Sequence, residues 1–398
     1  MLINNWYVAA ESTDVIQGAP KRTRMLGFDF ALFRDSTGKV ICLSDVCAHR
    51  GASLSAGKCD HDALACPFHG WQFNGEGQCI SIPALGDTRV PKRARVDSYP
   101  THEVYGWIWV FLGDLPEDER PPVPELLPEC LDTEHWRTTR MVVEAPVNWT
   151  KFEENSLDTA HLSFVHKAFG NRMDPKATIV PIERTKYGAR VARERTPPPP
   201  GAKTGKLAEL LAAPRGKTSV QLEFSLLGLC HRIQPTFRPG MSQVVFSAST
   251  PIDPFHTRQF GLQARNYAIE PEHDAERLAG RKQAIDEDIA VASTVRPRVG
   301  PTPFTDEFLT RADEMESIFR SFVIRMSDAG WEIDYDRVAA EWDRKVYVIP
   351  CPARRDDPKN WVHEAVPTTK PRNPDFSWRT LAGEEGQRAR LPKIAAAE

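Results

Sequence analysis

Residues 47–79 read CAHRGASLSAGKCDHDALACPFHGWQFNGEGQC, and the fold of the N-terminal third follows from them. Cys47 and His49 form a C-x-H pair. Cys66 and His69 form a C-x-x-H pair, and sixteen residues separate His49 from Cys66. Two thiolates and two imidazoles at this spacing fit two kinds of site. One is a structural zinc held by all four side chains. The other is a [2Fe-2S] cluster with two cysteines on one iron and two histidines on the other. Gly51 and Gly70 follow the two pairs, and glycine lets the backbone turn tightly toward bridging sulfurs.

The flanking residues separate the two readings. The stretch resembles the Rieske signature C-x-H-R-G…C-x-x-H-G-W of ring-hydroxylating oxygenases, and Arg50 and Trp71 belong to that version. The respiratory version adds a disulfide cysteine to each loop, where this chain has Ala52 and Phe68. The resemblance implies that Cys47, His49, Cys66 and His69 hold a [2Fe-2S] cluster. Neutral imidazoles in place of two thiolates raise its potential and suit it to relay single electrons. His61, His102 and His135 are expected in solvent. Cys42, Cys59 and Cys79 are expected to pack as small buried residues.

A Rieske domain needs about a quarter of 398 residues, a length that allows about two domains. The composition, 41% hydrophobic and 26% charged, is that of a globular protein. A net charge of −3 provides no basic field and argues against nucleic acid as a partner. No apolar run approaches the roughly 20 residues needed to cross a bilayer, and MLINNWYVAA does not read as a signal peptide. Eight cysteines in such a chain read as thiols or metal ligands, which points to the cytoplasm.

Residues 5–118 read as short strands and turns, and residues 115–128, LPEDERPPVPELLP, as a linker. The expected domains are residues 1–118 around the cluster, residues 119–366 for catalysis, and a polar tail over residues 367–398. Residues 195–205, RTPPPPGAKTG, read as a surface insertion, or as a lid or subunit contact. Strand patterns return over residues 219–266. Residues 149–168, 273–295 and 304–326 read as helices.

The first of these helices carries a second constellation. On a wheel of 100° per residue with Asp158 at zero, Glu154 falls at about −40°, Asn155 at about +60°, His161 at about −60° and His166 at about +80°. One face thus gathers an acid, an amide and two imidazoles. Taken alone, this is equally a solvated polar face. The separation of about 140° between the histidines is wide for two ligands of one ion and demands a local distortion of the helix.

The spacing N-x-x-D-x-x-H-x-x-x-x-H, met by Asn155, Asp158, His161 and His166, resembles the catalytic domain of Rieske oxygenases. It implies a mononuclear Fe(II) held by His161, His166 and a later carboxylate, with positions left open. The candidates lie in RKQAIDEDIAVASTVRP, residues 281–297, and with Leu278 just before it, Ile285, Ile289, Ala292 and Val295 make an apolar stripe. Asp288 lies inside that stripe, whereas Asp286 and Glu287 point away. A lone buried carboxylate is costly unless paired or metal-bound, so Asp288 is the expected third ligand.

By the same resemblance, Asp158 lies between the two metal centres and links a cluster histidine of a neighbouring subunit to His161, in a head-to-tail homotrimer. The implied fold is α+β, an all-β Rieske domain followed by a helix-grip domain with an antiparallel sheet. The implied reaction uses O2 and NAD(P)H-derived electrons to hydroxylate or demethylate an aromatic or largely apolar small molecule. Electrons must come through a separate ferredoxin or flavin reductase, since the chain has no Rossmann glycine fingerprint. Two rivals remain, a Rieske electron carrier without oxygenase chemistry and a zinc-stabilised binding module.

Overall fold

A computed structural model describes residues 1–125, 127–166, 176, 179–195 and 218–382. Residues 196–205 of the Pro-rich stretch lie outside the described residues. The chain divides into two compact units. The first comprises Met1–Val123, Thr250–Asp253 and Arg325–Arg379, and the second Pro124–Ser249, Pro254–Ile324 and Thr380–Glu398.

The first unit is built from small sheets, as the short strand pattern predicts. Asn5–Glu11 pairs with Trp107–Leu112, which pairs with Thr101–Val104. Lys21–Met25, Phe28–Arg34, Val40–Ser44 and Ser98–Tyr99 form a second sheet. Lys58–Asp60, Ala63–Ala65, Gln72–Asn74 and Cys79–Ser81 form a third, which carries the ligand loops. Phe33, Leu43, Leu54, Leu64, Phe73 and Val96 pack one core, and Cys47 and Cys66 are part of it. Cys42 and Cys79 are buried as expected, and Cys59 is half-buried. His61, His102 and His135 are exposed.

Residues 325–366, read from the sequence with the second domain, pack in the first unit. Buried Asp97 is the reason. Its carboxylate accepts Nε and Nη2 of Arg354 at 2.6 and 2.8 Å and the amide of Cys351 at 3.0 Å. The Arg354 guanidinium also lies over the Trp361 ring, 4.3 Å from its centroid. The polar tail is anchored as well. Phe376 and Trp378 are buried, and Trp378 donates its indole N–H to the Asn4 carbonyl at 2.8 Å.

The second unit holds a seven-stranded sheet. Its order is Arg137–Ala145, His256–Arg265, Met241–Asp253, Cys230–Arg238, Thr218–Ser225, Gly188–Arg195, Glu183–Thr185. The pairing is antiparallel, for example from Arg137↔Arg265 to Ala145↔Thr257. The helix Asp274–Ala292 packs Ile285, Ile289 and Ala292 against Ala145, Val147 and Phe152. The helix Glu314–Met326 sets Phe319 edge-on to Phe224 of the sheet. It begins ten residues later than the apolar pattern predicts, after a capping box in which Thr310 and Asp313 satisfy each other's backbone amides. Among the described residues no helix is long and apolar enough to cross a membrane.

Asp97→Ala leaves the Arg354 guanidinium without its acid and the Cys351 amide without its acceptor. The expected loss is about 3–5 kcal/mol, read as a lower urea midpoint with an unchanged slope.

Candidate metal centres

The two loops of the first centre share one hydrogen-bond pattern. The Cys47 amide donates to the Ala52 carbonyl at 2.9 Å, and the Gly51 amide donates back to Cys47 at 2.9 Å. The Cys66 amide donates to Trp71 at 2.8 Å, and the Gly70 amide to Cys66 at 3.0 Å. Each closure needs a left-handed residue, and Gly51 and Gly70 supply it at φ of 72° and 71°. Buried Asp45 fixes the chain after the first loop by accepting the Ser55 amide at 2.5 Å and both the Ser53 and Ser55 hydroxyls at 2.7 Å.

The four side chains sort into two pairs. The thiols of Cys47 and Cys66 lie buried, and burial with Cys66 alongside pushes Cys47 up to about 12. The His49 and His69 rings lie 4.5 Å apart and exposed, with His49 stacked on Trp71 at 4.6 Å and 2°. A tetrahedral zinc would draw all four ligand atoms within roughly 3.3–3.8 Å of one another, given its bond lengths. Among the described residues no three of these four gather within 4.8 Å. Two separated pairs fit a two-iron cluster with thiolates on one iron and imidazoles on the other.

In the second centre the expected helix over residues 149–168 is broken, and the break solves the problem of the 140° separation. Trp149–Leu157 is helical, capped by Asn148, whose side chain accepts the Thr150 amide at 3.1 Å. Asp158 leaves the helical region at φ −68°, ψ 135°. Its carboxylate captures the amides of Ala160 at 2.6 Å and His161 at 3.2 Å, which takes them out of any continuing helix. The His161 carbonyl then opens the short helix Leu162–Val165, and His166 is extended again at its end. Both histidines thereby turn to one point. Glu154, which the wheel placed on this face, is instead taken by buried Arg320 at 2.7 and 2.9 Å.

The ligand atoms of His161, His166 and Asp288 lie within 4.8 Å of one another, and no other three-residue group of this kind occurs among the described residues. Asp288 Oδ1 is 3.4 Å from Nε2 of His161 and 3.2 Å from Nε2 of His166. It is nevertheless a buried oxygen with no hydrogen bond. The other ring nitrogens explain why. His161 Nδ1 lies 3.2 Å from Asp158 Oδ2, and His166 Nδ1 lies 3.0 Å from Glu287 Oε2. A carboxylate only accepts, so each Nδ1 carries a proton, and Nε2 is the nitrogen whose lone pair is left for a metal in the neutral ring. Two Nε2 atoms and a carboxylate oxygen without a hydrogen bond converge, a donor set that a cation satisfies once the rings are neutral.

Charge shows what a bound cation displaces, since the acids that draw a cation also hold protons on these rings. Burial raises Asp288, but the two imidazoles and Asn155 outweigh it and hold the acid at about 2. Burial lowers His161, but Asp158 and Asp288 outweigh it and bring the ring to about 9. Glu287 corrects the sequence reading. The wheel turned it away, yet its side chain reaches back to His166 and is itself held by Gln283 at 3.0 Å. A wheel plots directions from the axis and ignores the reach of a glutamate. The one available signal was that a buried histidine ligand needs an acceptor for its second nitrogen.

Asp288→Ala is expected to remove the mononuclear metal while the visible absorption of the cluster persists, checked by iron content per chain. Glu287→Ala should leave both histidines in place yet weaken iron(II) retention by about 10–100-fold, measured by chelator competition.

Comparison with known proteins gives both halves a family. Residues 5–100 match the model of the Rieske [2Fe-2S] domain, and residues 146–329 match the vanillate O-demethylase oxygenase C-terminal domain. The methylxanthine N1-demethylase NdmA of Pseudomonas putida is 27% identical over 306 residues, covering 73% of this chain and 78% of that protein. The 3-chlorobenzoate-3,4-dioxygenase oxygenase subunit of Comamonas testosteroni is 32% identical over 189 residues, covering 47% of this chain and 42% of that protein. The alignments to the first four curated relatives span only 28% to 53% of those proteins. Among solved structures, the QL mutant of NdmA from Pseudomonas putida CBB5 with caffeine superposes at a TM-score of 0.69 and 22% identity, over 82% of this chain and 91% of that one. Dicamba monooxygenase bound to dicamba superposes at 0.67 and 21% identity, over 82% and 97%. These likenesses fix the fold, and the two domain matches, in this order along one chain, make it a member of the Rieske non-haem iron oxygenase family.

Proposed function

We propose that this chain is the terminal oxygenase component of an electron-transfer system, which uses O2 to hydroxylate or oxidatively demethylate an aromatic or largely apolar small molecule. The convergence of His161, His166 and Asp288 on one point carries the reading, because a pure Rieske carrier has no use for it. Relatives named as demethylases and as dioxygenases support the same reaction class. When bound, the cluster supplies one-electron transfer and the ferrous ion supplies the activation of O2.

The residues divide the work. Cys47 and Cys66 would hold the buried iron of the cluster, and His49 and His69 the outer one. The exposed imidazoles then form the edge through which electrons pass, and the Trp71 stack keeps His49 in one orientation. In the second unit, His161, His166 and Asp288 would occupy one face of the ferrous ion and leave the opposite face for O2 and substrate. Glu287 holds the Nδ1 proton of His166, and Asp158 holds that of His161. Both rings thus present Nε2 and stay neutral when the metal is bound.

Asp158 also serves as the bridge to the cluster. Its carboxylate is fixed by two backbone amides of its own chain, so it presents a rigid acceptor beside His161. In this reading the working protein is a cytoplasmic homotrimer in which that acceptor meets a cluster histidine of the next subunit. Electrons reach it from NAD(P)H through a ferredoxin or flavin reductase.

The count of irons tests the assignment, since an oxygenase holds three per chain and a carrier two. Asp158→Asn is expected to keep all three irons. With the cluster pre-reduced, substrate and O2 should then fail to reoxidise it in a single turnover. Reoxidation at the wild-type rate sinks the bridging role. The companion measurement is reductase-coupled, NADH-dependent O2 uptake across a panel of aromatic and methoxylated compounds.

A further inference from the structure

Three arginines are buried among the described residues, and they are not alike. Arg265 meets Asp274 at 2.7 Å. Arg320 meets Glu154 at 2.7 Å and Glu307 at 2.8 Å. Arg281 meets no acid. Its Nη2 donates to the Ser247 hydroxyl at 3.1 Å, and its Nη1 is buried without a partner. Burial pulls it down to about 10, with no carboxylate offsetting that effect, so the guanidinium stays cationic at neutral pH. A fold that pairs its other buried arginines leaves this one open, although an unpaired buried charge is costly.

Its position supplies a reason. Arg281 and Asp288 share the helix Asp274–Ala292. Seven residues are two turns, so the two side chains leave the same face, about 10.5 Å apart along the axis. The helix lays the guanidinium on Gly261, where any side chain would collide with it. The sheet face beneath is polar. Ser247 lies opposite His231 in the register, and His231 Nδ1 is held by Glu153 Oε2 at 3.0 Å. Paired Thr139 and Gln263, two residues along from Gly261 and on the same face, are buried with Thr139 Oγ1 and Gln263 Oε1 unpartnered. Open hydrogen-bond valences therefore lie on the same sheet face as this cation, which sits two turns from the metal ligand.

We propose that Arg281 recognises the anionic group of the substrate, and that the substrate of this chain is an aromatic monoacid whose carboxylate it pairs with. This rests on the oxygenase reading and narrows its substrate class. One Nη is held by Ser247 and the other is open, which suits a single carboxylate better than a multiply charged group. The spacing of about 10.5 Å then carries the far end of a substituted ring toward the point where His161, His166 and Asp288 converge. Arg281 is a substrate-binding residue in this scheme, and the carboxylate is the acid that its helix and sheet omit.

The test is binding to the iron-loaded protein by titration calorimetry, which needs no turnover. The probes are a panel of methoxylated benzoates, with 4-methoxybenzoate and its neutral methyl ester as the matched pair. Wild type should bind at least one benzoate and prefer acid to ester by at least about tenfold. Arg281→Met should lose the acid by about 100-fold, keep the ester and retain three irons. Arg281→Lys should restore part of the acid affinity. Equal acid affinity in Arg281→Met overturns the proposal, as does an ester that binds wild type as well as the acid, or a panel from which no benzoate binds. If Arg281→Met fails to fold, Arg281→Lys and the acid–ester ratio of wild type decide. A chain with two irons and no turnover would instead strike the oxygenase reading, and that count is taken separately.

Discussion

The second metal centre depends on one carboxylate. Asp158 takes the backbone amides of Ala160 and His161 with its side chain and ends a helix that the sequence would otherwise continue. Without that capture His161 and His166 would point about 140° apart and could not share an ion. The same carboxylate holds Nδ1 of His161 and so decides which nitrogen is free. Backbone shape, ring orientation and protonation thus follow from one side chain. This residue cannot be exchanged for an amide without disturbing charge, nor for an alanine without disturbing the fold.

The surroundings of that break are made rigid. Just before it, Glu154 is locked by Arg320, which also meets Glu307, and Lys151 reaches Glu307 at 3.0 Å and Thr302 at 2.5 Å. These charges are buried together, and each acid has a base in contact. Buried networks of this kind contribute little net stability but strongly disfavour alternative packings when complete. The consequence is that the ligand-bearing segment starts from a fixed helix, so the short excursion after Leu157 has one outcome.

How much was legible follows from the kind of force involved. Cys47, His49, Cys66 and His69 were legible because their spacing and the two glycines are local. Asp288 was legible because a carboxylate inside an apolar stripe is costly and needs a partner. The helix break was foreseen only as a requirement, since a wheel cannot say whether a side chain or the next turn will claim an amide. Glu287 was misplaced because its role depends on side-chain length and on a histidine 121 residues away. The packing of residues 325–366 in the first unit turns on Asp97 and Arg354, 257 residues apart, and no local pattern announces that pair.

The two centres treat their histidines in opposite ways, and the difference matches the chemistry proposed for each. His49 and His69 stand exposed, with only an aromatic stack behind His49, so the imidazole edge is open to whatever docks there. An electron carrier needs an edge of this kind, because transfer requires approach and not enclosure. His166 is 4% exposed, and both it and His161 are tied by a carboxylate behind the ring. A site that activates oxygen needs fixed ligands and excluded water, since a mobile ligand would release the metal and bulk water would compete for the open positions. Placing acids behind buried imidazoles keeps those rings basic in surroundings that would otherwise depress them, and the exposed pair has no such need.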